Sequence, residues 1–423
     1  MDKELIKLII GENQEFVQNI RYTPRPFKFE DKGNYVFLGI RRAGKSYLMY
    51  QRIHELLKTG HQIEEFLYIN FEDERFTGLR SDELNDIKSA YEETFPYQPI
   101  FFLDEVQVVP NWEKFVRRLA DKGYRVYVTG SNAQMLSNEI ATTLGGRFLI
   151  QQVYPLSFEE FLSMCEIHLK TNWLYSPSTR NKVIRTFETY FYNGGFPELN
   201  MFEDKRSWLS GLYQKIFFGD LVARYALRNT DSMRLLVKKL AESVMQPSSY
   251  NRLKHIVSSA GESIGVKTII DYISYLKQTW LIFSIENYAA KFAERETHRK
   301  YYFIDNGILN LFIFKPETLL LENLIAVTLH RLFGEGVYFY HQNIEVDFYL
   351  PEKNWLIQAS YNITDSPTME REVNALIKAG NFLKAQKLQI VTRNDEQIIQ
   401  RNGWTIEVIP IWKWLTATEQ TSH

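Results

Sequence analysis

Gly39-Ile40-Arg41-Arg42-Ala43-Gly44-Lys45-Ser46 follows the apolar run Tyr35-Val36-Phe37-Leu38, and a helical pattern begins at Tyr47. The spacing is G-x-x-x-x-G-K-S. A strand running into a glycine-rich turn and then a helix is the context a phosphate-binding loop requires. Backbone N–H groups of such a turn point inward and cradle phosphates, and the positive end of the following helix favours their charge. The nucleotide-binding candidates are therefore Gly39, Arg41, Arg42, Ala43, Gly44, Lys45, Ser46 and Tyr47. Lys45 has the reach for β- and γ-phosphates, and the Ser46 hydroxyl is a ligand for Mg²⁺.

Two further strand ends belong with this loop. Pro99-Ile100-Phe101-Phe102-Leu103 reads as a buried parallel strand and ends in Asp104-Glu105. Ligands in open α/β sheets bind at the carboxyl ends of strands, which puts both acids beside the phosphate loop. Asp104 is the candidate for holding the Mg²⁺ water shell, and Glu105 for orienting or deprotonating the attacking water. Arg125-Val126-Tyr127-Val128 is another short strand and ends in Thr129-Gly130-Ser131-Asn132. Asn132 is the best candidate there to touch the γ-phosphate or the water. Gly, Ser and Asn are also ordinary turn residues, so a plain turn is the competing reading.

The chain has 423 residues, enough for about two to four domains. Of these, 45% are hydrophobic, which supplies a sizeable core. Lys and Arg number 50 against 51 Asp and Glu, so no global charge draws the chain to nucleic acid or to an anionic membrane. The single cysteine, Cys165, excludes an intrachain disulfide. The N-terminus shows no signal-peptide segment, and no run of about 18 apolar residues exists, so a cytoplasmic protein with no membrane span is expected.

Residues 1–22 carry a helical pattern, with Leu5, Ile9, Phe16 and Ile20 on its apolar positions. Strands are expected at 34–39, 65–71, 99–104, 125–130 and 147–155, alternating with helices as in a parallel sheet covered on both faces. Gly145-Gly146-Arg147 precedes the last of these. Arg147 is a candidate for a γ-phosphate contact in its own chain or a neighbour, because its fork stays charged and binds phosphate oxygens in pairs. Pairing with a surface carboxylate is the alternative. Residues 157–230 read as a helical lid opening on Ser157-Phe158-Glu159-Glu160, a capping-box pattern, and broken by Gly194-Gly195-Phe196-Pro197. Over 231–312, three helices (232–245, 250–259, 265–279) and two strands (281–288, 300–305) flank the charged stretch from Lys291 to Lys300, which suggests a winged helix-turn-helix. Its third helix shows Lys267, Thr268, Asp271 and Lys277, which is weakly basic at best, so DNA binding is not written in the charge. The last unit, 313–423, has a helix with Glu317, Glu322 and His330, strands at 337–341, 345–350 and 355–361, a helix at 367–384 and a strand at 387–392.

Taken together, these stretches resemble the AAA-type P-loop ATPases that carry a C-terminal DUF4143 domain. The resemblance rests on Gly39–Ser46, Phe102-Leu103-Asp104-Glu105-Val106-Gln107, Val128-Thr129-Gly130-Ser131-Asn132 and Leu144-Gly145-Gly146-Arg147-Phe148. It continues in Tyr154-Pro155-Leu156-Ser157-Phe158-Glu159-Glu160-Phe161, Gly194-Gly195-Phe196-Pro197, Asp220-Leu221-Val222, Tyr302-Phe303-Ile304-Asp305-Asn306-Gly307 and Glu345-Val346-Asp347-Phe348. It implies ATP as the nucleotide, Mg²⁺, hydrolysis through Lys45, Ser46, Asp104 and Glu105, a sensor role for Asn132 and a finger role for Arg147. It also implies a last domain similar to PD-(D/E)XK nucleases, whose acids hold Mg²⁺ beside a lysine. Asp347 matches that pattern, Glu322 is the upstream helix acid, and the next strand reads Gln358-Ala359-Ser360. Serine in the lysine position brings no positive charge, so a nuclease-like fold without cleavage is expected.

The resulting expectation is an α/β protein: a P-loop ATPase domain (1–156), a helical lid (157–230), a winged-helix-like domain (231–312) and an inactive nuclease-like domain (313–423). ATP hydrolysis would switch how the later domains meet a protein partner, in an oligomer if Arg147 acts in trans. An ATP-gated DNA-binding protein and a non-hydrolysing module with structural ATP are the competing readings.

Overall fold

Five short apolar runs form one parallel sheet in the computed structural model, which describes residues 2–136, 142–259, 264–363 and 365–420. They are β1 (Asn34–Leu38), β2 (Phe66–Asn70), β3 (Ile100–Asp104), β4 (Val126–Gly130) and β5 (Phe148–Gln152), in the order β2-β3-β4-β1-β5. β3 and β4 are buried along their whole length, which is why they read as continuous apolar runs and not as alternating ones. On one face Tyr35 stacks on Phe37 and on Tyr127, and Phe102 stacks on Tyr127 at 4.6 Å between ring centroids. The first helix, Lys3–Asn19, is capped by Asp2. It buries Ile6, Ile9, Ile10 and Val17, while Phe16 stays half exposed, so the buried stripe is rotated from the one expected.

The chain divides after Tyr154. One unit is Met1–Tyr154 with Gln278–Trp280, the other Pro155–Lys277 with Leu281–His423. The second unit is built on a nine-stranded sheet. Its strands are β6 (Ser248–Ser249), β7 (Ile282–Asn287), β8 (His298–Phe303), β9 (Tyr338–His341), β10 (Glu345–Leu350), β11 (Trp355–Ala359), β12 (Lys387–Thr392), β13 (Gln397–Arg401) and β14 (Trp404–Pro410). They run β13-β14-β12-β11-β10-β9-β7-β8-β6. The division drawn at 312/313 from sequence passes through this sheet. β7 pairs with β9 at Glu286↔Tyr338 and Asn287↔Phe339, so the strands expected to form a separate winged-helix-like domain are continuous with those that follow residue 313. The three helices of that stretch are present at Thr230–Glu242, Tyr250–Ser259 and Val266–Gln278. The hairpin β13–β14 and the helix Ile411–Gln420 were not anticipated, although the turn residues Asn402-Gly403, both at positive φ, signal a two-residue hairpin turn. No helix among the described residues is long and apolar enough to cross a membrane.

Two motifs far apart in the chain meet in this unit. Asp305, wholly enclosed, accepts hydrogen bonds from the N–H groups of Gly195 (2.8 Å), Gly307 (2.7 Å) and Ile308 (3.3 Å). A Cβ on Gly195 would lie 2.2 Å from the Leu156 carbonyl oxygen, and one on Gly307 2.1 Å from that of Asn193. The glycines of Gly194-Gly195-Phe196-Pro197 and Ile304-Asp305-Asn306-Gly307 are thus demanded by close backbone approach. Burial pushes the Asp305 carboxyl up to about 6, against the pull of its three N–H donors. A folded-state pKa above the unfolded value means the folded state holds the proton more tightly. Stability from this group is therefore full below about pH 4 and falls as pH rises to 6, by an amount on the order of 3 kcal/mol.

Gly195→Ala is expected to destabilise the protein by about 3 kcal/mol or more, read as a lower thermal midpoint. In Asp305→Asn the deficit in midpoint relative to the parent should be greatest near pH 4 and shrink as pH is raised through 6.

Candidate functional site

Parallel register gathers the candidate residues. Leu38 of β1 lies level with Gly130 of β4, and Leu103 of β3 with Val128, so the segments after all three strands emerge at one edge of the sheet. The loop after β1 closes with Gly39 at φ +156°, Arg42 at +61° and Gly44 at +96°. Gly39 is required here: a Cβ would sit 2.1 Å from the carbonyl oxygen of Val153. The helix Lys45–Lys58 that follows has Gly44 at its N-cap and no side-chain cap, so its first N–H groups stay available for an anion.

Lys45 is buried and its ammonium donates to the Gly39 and Ile40 carbonyls, each at 3.2 Å. It also pairs with Glu105 Oε1 at 3.3 Å. Asp104 is enclosed and accepts from Tyr68 Oη at 2.7 Å, from Thr129 Oγ1 and from the Ser46 hydroxyl. Burial, with the adjacent Glu105 charge, raises the Asp104 carboxyl, and these three donors act the other way. Burial also works to raise Glu105, but the Lys45 charge and the Gln107 amide bring it below its ordinary value. Glu105 has φ +51°, a left-handed conformation that is sparsely populated for a non-glycine residue and recurs at functional sites. Its N–H donates to Thr129 Oγ1 at 2.8 Å.

Asn132 is buried at the end of β4, on the same edge as this cluster. Ser131 Oγ accepts from Gln107 Nε2 at 3.3 Å, and that nitrogen donates also to Glu105 Oε2 at 2.6 Å. Sequence reasoning missed Gln107, whose only signal was its place two residues after Glu105. Arg41 pairs with Glu72 at 2.7 Å, which brings one acid of the turn after β2 to the loop. Arg42 and Tyr47 are exposed. A divalent cation fits this donor set, since the Asp104 carboxylate and the Ser46 hydroxyl are hard oxygen donors of the kind that suits Mg²⁺.

Arg147 is elsewhere, and its role as a finger toward its own nucleotide is corrected. β5 runs parallel to β1, with Phe148 level with Asn34, so Arg147 lies at the opposite end of the sheet, roughly 15 Å of strand away from the loop. Its side chain pairs with Asp121.

Arg25 was also not singled out from sequence. Its guanidinium donates to Ala43 O at 3.1 Å and Tyr154 O at 3.0 Å, and its backbone exchanges hydrogen bonds with the Gln51 amide. It ties the phosphate loop to the last residue before the division of the chain.

In the second unit the expected nuclease-like residues do come together. Asp347 N–H donates to Gln358 Oε1 at 3.3 Å, and Asp347 Oδ2 accepts from Ala359 N–H at 2.9 Å. The positive charge expected to be missing is present. Ser360 carries none, but Lys300 of β8 reaches Glu322 Oε1 at 3.3 Å and Asp347 Oδ1 at 3.2 Å. Nothing in the spacing of Asp347 and Ser360 could reveal a lysine arriving from another hairpin. A cavity of about 920 Å³ opens in front of Asp347, Gln358 and Ser360.

Comparison with known proteins places these observations. A family model described as an AAA domain matches residues 31–162, and a domain of unknown function, DUF8612, matches residues 184–318. The second is a different domain from the DUF4143 expected. The chain is 33% identical to the uncharacterized protein MJ1544 of Methanocaldococcus jannaschii over 97% of its own length and 95% of the relative's. It is 30% identical to an uncharacterized protein of Haemophilus influenzae, covering 70% of this chain and 74% of that one. Among solved structures, the Walker-type ATPase paby2304 of Pyrococcus abyssi aligns over 74% of this chain and 95% of that one, with 14% identity and a TM-score of 0.37, a likeness too loose to carry an argument.

Lys45→Ala is expected to weaken ATP binding about tenfold to a hundredfold, as loss of a charge-assisted contact does, read by titration calorimetry. Arg25→Ala should weaken binding by a smaller factor through slackening of the loop, and Arg25→Lys should restore part of it.

Proposed function

The chain belongs to the same family as MJ1544 of M. jannaschii and has an AAA domain at residues 31–162, and from that premise we propose that it is a Mg²⁺-dependent ATPase whose turnover switches the presentation of its second unit to a protein partner. The observation that carries this reading is the ion pair between buried Lys45 and Glu105, held on the same strand edge as the Ser46–Asp104 hydrogen bond.

Lys45 and the uncapped helix N-terminus receive the phosphate charge. Once Lys45 turns to phosphate, Glu105 Oε1 loses its cationic partner and becomes the acceptor for the proton of water attacking the γ-phosphorus; the bond to the β-phosphate oxygen breaks, leaving ADP and phosphate. Ser46 and Asp104 would hold Mg²⁺, which would supply charge neutralisation at the phosphate oxygens. Thr129 and Gln107 fix Glu105 by its N–H and its carboxylate, and buried Asn132 at the end of β4 is the candidate sensor of the γ-phosphate. The link from Ala43 through Arg25 to Tyr154, and the contact of Gly39 with Val153, favour a switch: a change in the loop is felt at the residues that lead into the second unit.

DNA coupling is the weaker reading. The exposed side of the helix Val266–Gln278 presents Lys267 and Ile270, not a row of cations. The chain's placement in the cytoplasm and its work with an oligomeric neighbour remain parts of the proposal.

The test is Mg²⁺-dependent phosphate release by the parent and by Glu105→Gln, with and without duplex DNA. Turnover in Glu105→Gln should fall by about a hundredfold or more with ATP affinity nearly unchanged. Equal turnover would sink the role of Glu105. Binding without turnover in the parent would make ATP a structural ligand, and stimulation by DNA would move the partner from protein to nucleic acid.

A further inference from the structure

The nuclease-like resemblance implies a divalent cation between Glu322, Asp347 and Gln358, and the residues present do not fit one. The space between the two carboxylates is taken by an ammonium. Lys300 Nζ lies 3.3 Å from Glu322 Oε1, 3.2 Å from Asp347 Oδ1 and 3.7 Å from Glu345 Oε1, and Lys300 is wholly buried. The other donors are committed to neighbours: Asp347 Oδ2 to the Ala359 N–H, Gln358 Oε1 to the Asp347 N–H, and Glu322 Oε1 also to the Tyr302 hydroxyl at 2.7 Å. Among the described residues no three Asp, Glu, His or Cys groups converge as metal ligands. Glu322 Oε2 is buried with no hydrogen-bond partner there.

We propose that Lys300 is the resident cation of this site: its ammonium occupies the metal position, so the pocket works without a divalent ion, and the lysine locks β8 to β10 and to the helix Glu317–Phe333.

The charges support this. Burial acts to lower the Lys300 ammonium, but Glu322, Asp347 and Glu345 outweigh it and hold the group charged. Burial raises the Glu322 carboxyl, with the Lys300 charge opposing. A divalent ion entering beside the ammonium would meet like charge within a few ångströms in a poorly solvated place. Removing one member of such a cluster leaves an uncompensated buried charge. Lys300 therefore acts twice, as counter-ion and as a side-chain tie from β8 to β10 and to the helix Glu317–Phe333.

The experiment uses the nucleotide-free full chain and Mn²⁺, following the thermal midpoint and free Mn²⁺ by electron paramagnetic resonance, for the parent, Asp347→Asn, Lys300→Met and Lys300→Met/Asp347→Asn. Any Mn²⁺ at the phosphate loop is common to all four and cancels. Parent and Asp347→Asn should respond alike. Lys300→Met should start lower and gain about 3 °C more from Mn²⁺ than the parent does, a gain lost in the double variant. The proposal is overturned if the parent binds more Mn²⁺ than Asp347→Asn, or if folded Lys300→Met gains nothing. Mg²⁺-dependent nicking of plasmid DNA by the parent, lost in Asp347→Asn, would overturn it equally. Should Lys300→Met not fold, the comparison of parent with Asp347→Asn decides: equal binding upholds the resident lysine and unequal binding rejects it.

Discussion

Parallel pairing of β1 with β4, and of β4 with β3, sends three strand ends to one edge of the first sheet, and the nucleotide site depends on it. Side chains from residues 45, 46, 104, 105 and 129 meet because their strands run the same way in register. The pairing is held by near-complete burial of β3 and β4 and by the ring stack of Tyr35, Phe37, Phe102 and Tyr127. Such burial stabilises the sheet by about 2 kcal/mol for each large side chain removed from water. The same register excludes Arg147, which lies at the other end of β5.

The second unit depends on buried polar groups. Asp305 gathers N–H groups from two chain segments more than a hundred residues apart, and Lys300 gathers carboxylates from a helix and a strand. Buried charges of this kind contribute modestly while intact and cost several kcal/mol when one partner is removed. They specify which segments meet more than they add to stability. Extending one sheet from β13 to β6 has a related effect, since it makes the hairpin β7–β8 and the strands β9 to β14 one hydrogen-bonded body.

What could be read in advance follows the range of each interaction. Strands β1 to β4 and the helices of residues 230–278 were legible because burial on both faces, or on one stripe, writes itself into local periodicity. Asp104 and Glu105 were legible because a strand end next to a phosphate loop leaves little choice of chemistry. Gln107 and Arg25 were not. Gln107 acts through a side-chain amide that no spacing rule marks, and Arg25 lies in a stretch without regular structure, binding carbonyls that any long donor could reach. The hairpin β13–β14 was missed despite its Asn-Gly turn, because its exposed strand Gln397–Arg401 shows no apolar alternation.

The sequence by itself determined the phosphate-binding loop, its strand and helix, the order of the elements and the presence of Glu322, Asp347 and Gln358, since these are properties of neighbouring residues and of short repeats. Tertiary structure alone decided that Arg147 faces away from the loop, that Asp305 joins the two glycine motifs and that Lys300 sits between Glu322 and Asp347. Each of those depends on the pairing of segments distant in the chain, where a side chain's partner is set by sheet order and register and leaves no periodic trace.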